Sequence, residues 1–115
     1  MKDDVLYLKD IREQCRDILT ETETLTYDEF ASRKIYQNGI ILSIIIIGEA
    51  AKQFSEEFRG KHPEIPVSLL AKTRDKLVHG YQGVDIRTVW NIAVTDVPEL
   101  YQSVVKILET EAEKP

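Results

Sequence analysis

Apolar residues recur at steps of three and four along most of the chain, which is the spacing of one face of an α-helix. The first such stripe predicts a helix that ends near Thr20, with Asp3 or Asp4 as its N-terminal cap. The stripe consists of Val5, Leu8, Ile11, Cys15, Ile18 and Leu19. Residues 21–24 are all polar and predict a turn after this helix.

A capping motif opens the second helical region. Thr26 is followed three residues later by Glu29, which is the pattern of a capping box. It predicts a short helical turn over Tyr27–Ala31 and then a long helix over about 33–59. Four consecutive isoleucines, Ile44–Ile47, favour a strand by propensity. Because strongly helical sequence follows them without a turn signal, we predict helix through the whole segment.

Prolines and glycines delimit the remaining helices. Pro66 can occupy the first turn of a third helix, Val67–His79, which ends at Gly80. Asp85 can cap a fourth helix, and Pro98 predicts a kink in it near residue 95. The chain of 115 residues is long enough for one domain with a core of its own. We therefore predict a single all-α domain over residues 1–115, an up-down bundle of four to five helices.

The long helix is apolar on every side over residues 39–51, and such a helix must be covered on every side. In a domain of this size, we expect one side to face the core and another to face a second subunit. The small residues Gly39, Ser43 and Gly48 would let another helix approach closely. The predicted dimer contacts are Ile40, Ser43, Ile44, Ile47 and Ala51. The alternative interpretation is a central core helix with no partner.

Net charge, cysteine content and the lack of a signal stretch limit the classes of function and the cellular locations that fit this chain. A net charge of −5 argues against a broad nucleic-acid-binding face, although five basic and only two acidic residues lie in 59–79. Cys15 is the only cysteine, which excludes an intrachain disulfide, and its place on an apolar stripe predicts a core residue. The N-terminal residues lack an apolar signal stretch, and the apolar run of the long helix is short for a bilayer. We expect a cytoplasmic protein with no membrane contact.

The candidate chemistry lies at the end of the third helix. Arg74 can hold a phosphate with its fork of donors, and His79 can transfer a proton near neutral pH. Asp75 lies four residues before His79 and shares its face on a regular helix, while Lys76 adds local positive charge. The alternative is an ordinary helix end, where a histidine favours the negative end of the helix dipole. His62, in the connector before Pro63, is predicted to be a surface loop residue, and it has no nearby histidine or cysteine, so no metal site is predicted.

Several segments in order resemble the HepT-like branch of the HEPN superfamily, the toxin halves of bacterial and archaeal toxin–antitoxin pairs. They are Ile47–Lys52, His62–Pro66, Arg74–Tyr81, Val84–Trp90 and Asp96–Leu100. The resemblance implies a metal-independent endoribonuclease without a cofactor, with Arg74 and His79 of each of two subunits meeting at a dimer cleft. His79 would take the proton of a ribose 2′-OH, and Arg74 would hold the phosphate. Asp75 and Lys76 would support them.

The resemblance also implies a partner, a small nucleotidyltransferase antitoxin that transfers AMP to Tyr81 in a type VII-like system. Added phosphates beside the site would repel RNA. The chain departs from the family in two places: Asp75 replaces a common asparagine, and Leu42 and Ile45 replace charged residues of the long helix. The alternative function is therefore a non-catalytic module that binds nucleotide or scaffolds the nucleotidyltransferase.

Overall fold

The computed structural model describes residues 2–80 and 83–112, and helices account for nearly all of these residues. The helices are α1 (Lys2–Glu23), α2 (Tyr27–Ser32), α3 (Lys34–Ala51), α4 (Glu56–Lys61), α5 (Val67–His79), α6 (Ile86–Asn91) and α7 (Val97–Ala112). A π-helical turn, Ile92–Asp96, joins α6 to α7. The predicted all-α class is confirmed, and the long helices form the bundle while α2 and α4 lie in its connections.

The central element is α3, which packs against α1 on one side and α5 on another, while α1 also packs against α7. By length and composition α3 could cross a membrane, with 18 residues and a mean hydropathy of 1.2. Six of its residues are buried in the bundle, as is usual for a central core helix. Cys15 faces the same core, and burial raises the pKa of its thiol to about 12. The prediction that Cys15 is a core residue is confirmed.

The N-terminal half differs from the prediction at two helix ends. Helix α1 continues through residues 21–23, where Thr22 Oγ1 donates to the carbonyl of Ile18 at 2.9 Å. The long helix ends at Ala51, and Ser55 begins the separate helix α4. Asp4 explains the break: its buried carboxylate accepts bonds from the backbone N and the Oγ of Ser55, at 2.8 and 2.7 Å. Asp4 is thus a tertiary anchor within α1 rather than its cap.

The capping signals elsewhere behave as predicted. Thr26 and Glu29 form both bonds of the capping box at the start of α2. Asp85 accepts a bond from the backbone N of Arg87 at 3.0 Å and so caps α6. Helix α5 has the predicted limits, and Gly80 follows it. The predicted kink before Pro98 takes the form of the π-helical turn, in which the wider backbone accommodates the missing proline N–H.

The apolar surface of α3 is arranged differently from the prediction. Four of the five predicted dimer contacts lie in the core of the single chain, because α1 and α5 cover that side of the helix; these are Ile40, Ile44, Ile47 and Ala51, each at most 4% exposed. Ser43 is half-buried. The apolar side chains that α3 presents to solvent are instead Ile35 and Leu42, which are 76% and 58% exposed. Any partner of α3 would meet these residues.

Candidate active site

A close contact between α3 and α5 positions the candidate site. Gly48 is buried, and a Cβ atom placed on it would lie 2.3 Å from the Cβ of Arg74 and 2.6 Å from the backbone oxygen of Leu70. No side chain fits in that space. The missing side chain of Gly48 therefore lets the backbone of α5 approach α3 and sets Arg74 against it.

Arg74 is held there by carboxylates from both helices. Its Nε lies 2.7 Å from Oε2 of Glu49, an ion pair whose angle is not that of a hydrogen bond. Its Nη1 donates to Oδ1 of Asp75 at 3.0 Å. The Arg74 side chain is 23% exposed, so the guanidinium remains accessible at one edge. Among the described residues, Nη2 is the nitrogen of this guanidinium that makes no carboxylate contact.

Asp75 connects this arginine to a second cation. The Nζ of Lys52, just after the last residue of α3, donates to the same Oδ1 atom at 3.0 Å. The hydrogen bonds from Lys52 and then from Arg74 lower the pKa of Asp75. The carboxylate is therefore ionised at neutral pH, and these ion pairs are lost only as the pH falls through that lowered pKa. Asp75 thus orients Arg74 and Lys52, and neutralises part of their charge.

His79 lies at the last position of α5 and is exposed to solvent. It lies five positions after Arg74, which on a regular helix turns the two side chains about 140° apart. Arg74 faces α3, whereas His79 faces outward with Asp75 one turn before it. The two residues therefore flank a surface at the end of α5 and do not close into a pocket within one chain.

A groove of about 620 Å³ opens beside this surface, between α5 and the segment from α6 to α7. Its lining is largely aliphatic and also includes Lys76 of α5, Gly80 just after it, Asp85 and Thr88. Lys76 is exposed at this edge, so its positive charge is available next to His79. The predicted supporting residues thus lie on two sides: Asp75 joins the Arg74 cluster, and Lys76 borders the groove.

Two further candidates lie outside the cluster. Tyr81, the predicted modification site, is outside the described residues. His62, predicted to be a surface loop residue, is mostly covered: its ring centre lies 4.8 Å from that of Phe58, and its Nδ1 lies 3.7 Å from Oε2 of Glu64. Within residues 2–80 and 83–112, no group of three histidine, cysteine or acidic residues is placed to hold a metal ion.

Sequence reasoning missed Glu49 and Lys52 as part of the site. Glu49 directly follows Gly48, and Lys52 follows three residues later, so both emerge where α3 meets α5. The sequence does contain a signal for them: where an arginine packs against a glycine of a facing helix, the residues next to that glycine can contact the arginine side chain. The pairing of the two helices was needed to use it.

Comparison with known sequences decides the family. A family profile described as "Ribonuclease HepT-like" matches residues 11–107. The chain belongs to the HepT-like ribonuclease family. The matched region includes Glu49, Arg74 and His79, so the whole cluster lies inside the HepT-like domain.

Several named relatives agree with this assignment. "Putative RNase MJ0127" of Methanocaldococcus jannaschii is 37% identical over 94% of this chain and 89% of its own length. "Putative RNase MJ1216" of the same organism is 39% identical over 90% and 85%. "Probable ribonuclease HepT" of Thermococcus cleftensis is 40% identical over 82% and 86%. No solved structure matches this HepT-like chain. The predicted HepT-like resemblance and the enzyme class, a ribonuclease, are confirmed.

Proposed function

We propose that this HepT-like protein cleaves RNA within the strand and without a metal ion, by attack of a ribose 2′-OH on the adjacent phosphate. The observation that supports it most directly is the fixed guanidinium of Arg74 at the end of a helix that presents His79 to solvent. An arginine whose position is fixed costs little reorganisation when charge develops on a bound phosphate. The exposed imidazole is available to a ribose without movement of the backbone.

In this reaction His79 accepts the proton of the 2′-OH while the 2′-oxygen bonds to phosphorus. The bond from phosphorus to the 5′-oxygen of the next nucleotide breaks, and this leaving oxygen takes a proton from solvent water while His79 later returns its proton to solvent. The products are a 2′,3′-cyclic phosphate and a 5′-hydroxyl end. Arg74 binds the non-bridging oxygens through its free edge and stabilises the charge they gain. Glu49 and Asp75 hold the guanidinium in place, and Lys76 contributes attraction for the strand.

This function is tested with the protein expressed alone, in the presence of a chelator. Single-stranded RNA should be cut to products with 2′,3′-cyclic phosphate ends, identified by mass spectrometry. The same sequence with 2′-O-methyl groups should resist cleavage, because only the free hydroxyl can attack. Cleavage of both substrates, or products with 3′-hydroxyl ends, would reject the proposed mechanism.

The active form is a homodimer. Its support is a strip of exposed apolar side chains on the outer side of α3, Ile35 and Leu42, which lie seven residues apart and lead toward Glu49 at the next such step. Val78, which is 38% exposed, lies one turn after Arg74 on the same face of α5 and adds an exposed apolar side chain beside the site. A second copy placed here covers the strip and brings two sets of Arg74 and His79 together. Within one chain the side chains of Arg74 and His79 point apart, and the pairing of two copies compensates for this.

Replacing Leu42 with lysine should convert the dimer into a monomer, because it places a charge at the centre of the strip. The molecular mass from light scattering at micromolar concentration measures this, and RNA cleavage should fall with it. Leu6→Lys is the matched control, since Leu6 of α1 is 57% exposed against 58% for Leu42. Dimerisation through α3 is refuted by a monomeric wild type, or by Leu42→Lys and Leu6→Lys proteins of equal mass.

The cellular partner is a small nucleotidyltransferase that transfers AMP to Tyr81, in a cytoplasmic type VII-like toxin–antitoxin pair. The support is the sequence position of Tyr81, two residues after His79, because negative phosphates added so close to the catalytic histidine would repel RNA. Coexpression with a small nucleotidyltransferase of the proposed class should add AMP to the peptide that contains Tyr81 and suppress cleavage, and Tyr81→Phe should stay unmodified. A modified peptide elsewhere in the chain would exclude this regulation.

One observation favours a second candidate, a non-catalytic module that scaffolds the nucleotidyltransferase. Two nitrogens of Arg74 already meet carboxylates, and Asp75 adds negative charge where the family commonly has asparagine. These charges weaken the attraction of a phosphate. A folded dimer that cuts no RNA in the experiment above would favour this candidate over the nuclease.

A further inference from the structure

Two arginine–tyrosine pairs lie on the surface formed by α2, the start of α3 and α6. The Cζ atom of Arg87 lies 3.7 Å from the ring centre of Tyr27, and that of Arg33 lies 5.5 Å from the ring centre of Tyr36. Both arginines are exposed, and both tyrosines are half-buried. Arg33 Nη1 also donates to the Tyr36 hydroxyl at 3.4 Å. The guanidinium of Arg87 therefore lies on a ring face, whereas that of Arg33 lies at the hydroxyl edge of its ring, and both belong to exposed side chains.

The core fixes this surface in place. Trp90 packs its ring 6.0 Å from that of Tyr27 and 5.2 Å from that of Phe30, which is fully buried. The backbone N of Arg33 donates to the carbonyl of Phe30 at 3.5 Å. Tyr27 and Arg87 thus stand on a base formed by Trp90 and Phe30, and Arg33 follows this base directly at the end of α2. The residues Tyr27, Arg33, Tyr36, Arg87 and Trp90 are here named the α2–α6 surface.

Its charge is balanced in a chain whose net charge is −5. Arg33, Arg87 and the neighbouring Lys34 face the acidic Asp28, Glu29 and Asp85. Glu29 and Asp85 are engaged as helix caps, accepting bonds from the backbone of Thr26 and of Arg87. Electrostatic attraction for a polyanion is consequently small, and planar stacking is the interaction that the α2–α6 surface offers most strongly.

The α2–α6 surface is continuous with the candidate active site. The groove near the end of α5 is lined by Lys76 and Gly80 from one side and by Asp85, the cap of α6, and Thr88 from the other. Arg87 stands next to Thr88 on α6. A strand bound at the end of α5 therefore reaches Arg87 by crossing the mouth of the groove.

We propose that the α2–α6 surface binds a single-stranded segment of the RNA substrate outside the cleavage site, with nucleobases stacked on Arg87 and Arg33. Guanidinium planes and aromatic rings are the groups on which splayed bases stack in single-stranded RNA complexes. Bases of a duplex are stacked on each other and cannot reach such a surface. The proposal takes its ligand class, RNA, from the proposed function, and it specifies the form of the substrate.

The test uses the whole chain and a single-stranded 2′-O-methyl RNA of about 12 nucleotides, long enough for the site and resistant to cleavage. Fluorescence anisotropy should show binding that weakens about 5- to 100-fold in Arg87→Ala and in Arg33→Ala. Arg87→Lys should also weaken it, because lysine keeps the charge and loses the plane. Arg16→Ala, an exposed arginine of α1, is the matched control and should bind as the wild type.

The wild type provides an independent measurement. Trp90 is the only tryptophan, so its emission reports on the α2–α6 surface and should change saturably as the same RNA is added. Unchanged Trp90 emission on binding, full binding by both arginine variants, or restoration by Arg87→Lys would each overturn the proposal. Loss of nucleotidyltransferase binding in these variants with RNA binding intact would do so as well. The probe RNA cannot be cut, so its binding does not depend on nuclease activity. If the protein binds it through these arginines but cuts no RNA, the proposed function is rejected and the proposed binding surface stands.

Discussion

Replacing His79 with alanine should slow RNA cleavage by about 10²- to 10⁴-fold, the usual contribution of a general base. The imidazole is the group at the exposed end of α5 that can take the 2′-OH proton, and alanine cannot replace it. Because His79 is exposed and ends its helix, its removal should leave the fold and the dimer unchanged. Initial rates on a single RNA sequence in chelator measure the effect.

His62→Ala is the matched control for this loss, since it removes the only other histidine, which packs on Phe58 away from the cluster. It should lower thermal stability and keep cleavage within a few-fold of the wild type while folded. Equal cleavage by wild type and His79→Ala would remove His79 from the chemistry. A loss in His62→Ala as large as in His79→Ala, with both proteins folded, would have the same meaning.

Replacing Gly48 with alanine should destabilise the protein by about 1–3 kcal/mol and reduce cleavage about 10²-fold. The new Cβ would lie 2.6 Å from the backbone oxygen of Leu70, so α5 must move away from α3. Overpacking of this kind costs about 1–3 kcal/mol. The movement also shifts Arg74 relative to Glu49, and a displacement of about 1 Å in a catalytic group is enough for the loss in rate.

Gly39→Ala is the matched control, because it changes the same helix where a Cβ meets nothing within 4 Å. Alanine there should stabilise the protein by up to about 1 kcal/mol through helix propensity alone. Thermal unfolding by circular dichroism compares the two variants. If Gly48→Ala melts as high as Gly39→Ala and cleaves RNA normally, the close packing of α3 on α5 does not position Arg74.

Helix α5 could be predicted to the residue because its limits are local: Pro66 precedes it and Gly80 follows. The end of α3 could not, because Ser55 begins α4 with the help of Asp4, which lies 51 positions away in the chain. The apolar run of α3 likewise shows what the sequence alone does not predict. Its composition predicts that every side is covered, but only packing decides which side α1 and α5 take and which side remains for a partner.

The residues of the candidate site likewise differ in how far the sequence predicts them. Arg74 and His79 could be selected from residue chemistry, spacing and family resemblance, since all three are properties of the sequence. The partners of Arg74 depend on the approach of two helices at Gly48, and the sequence alone does not specify that pairing. Asp75 was predicted to act on His79, whereas its Oδ1 is bonded to Lys52 and Arg74. The competing cations are stronger partners for that carboxylate than a neutral imidazole.

Cys15 has a practical consequence. Its thiol is fully buried, and with a pKa of about 12 it is almost entirely protonated at the pH of ordinary labelling reactions. Thiol-specific spin labels or fluorophores should therefore not react with the native protein. A cysteine introduced on an exposed helix face would be the single reactive thiol in each chain, so pulsed electron resonance could detect the proposed dimer directly as a distance between two labels.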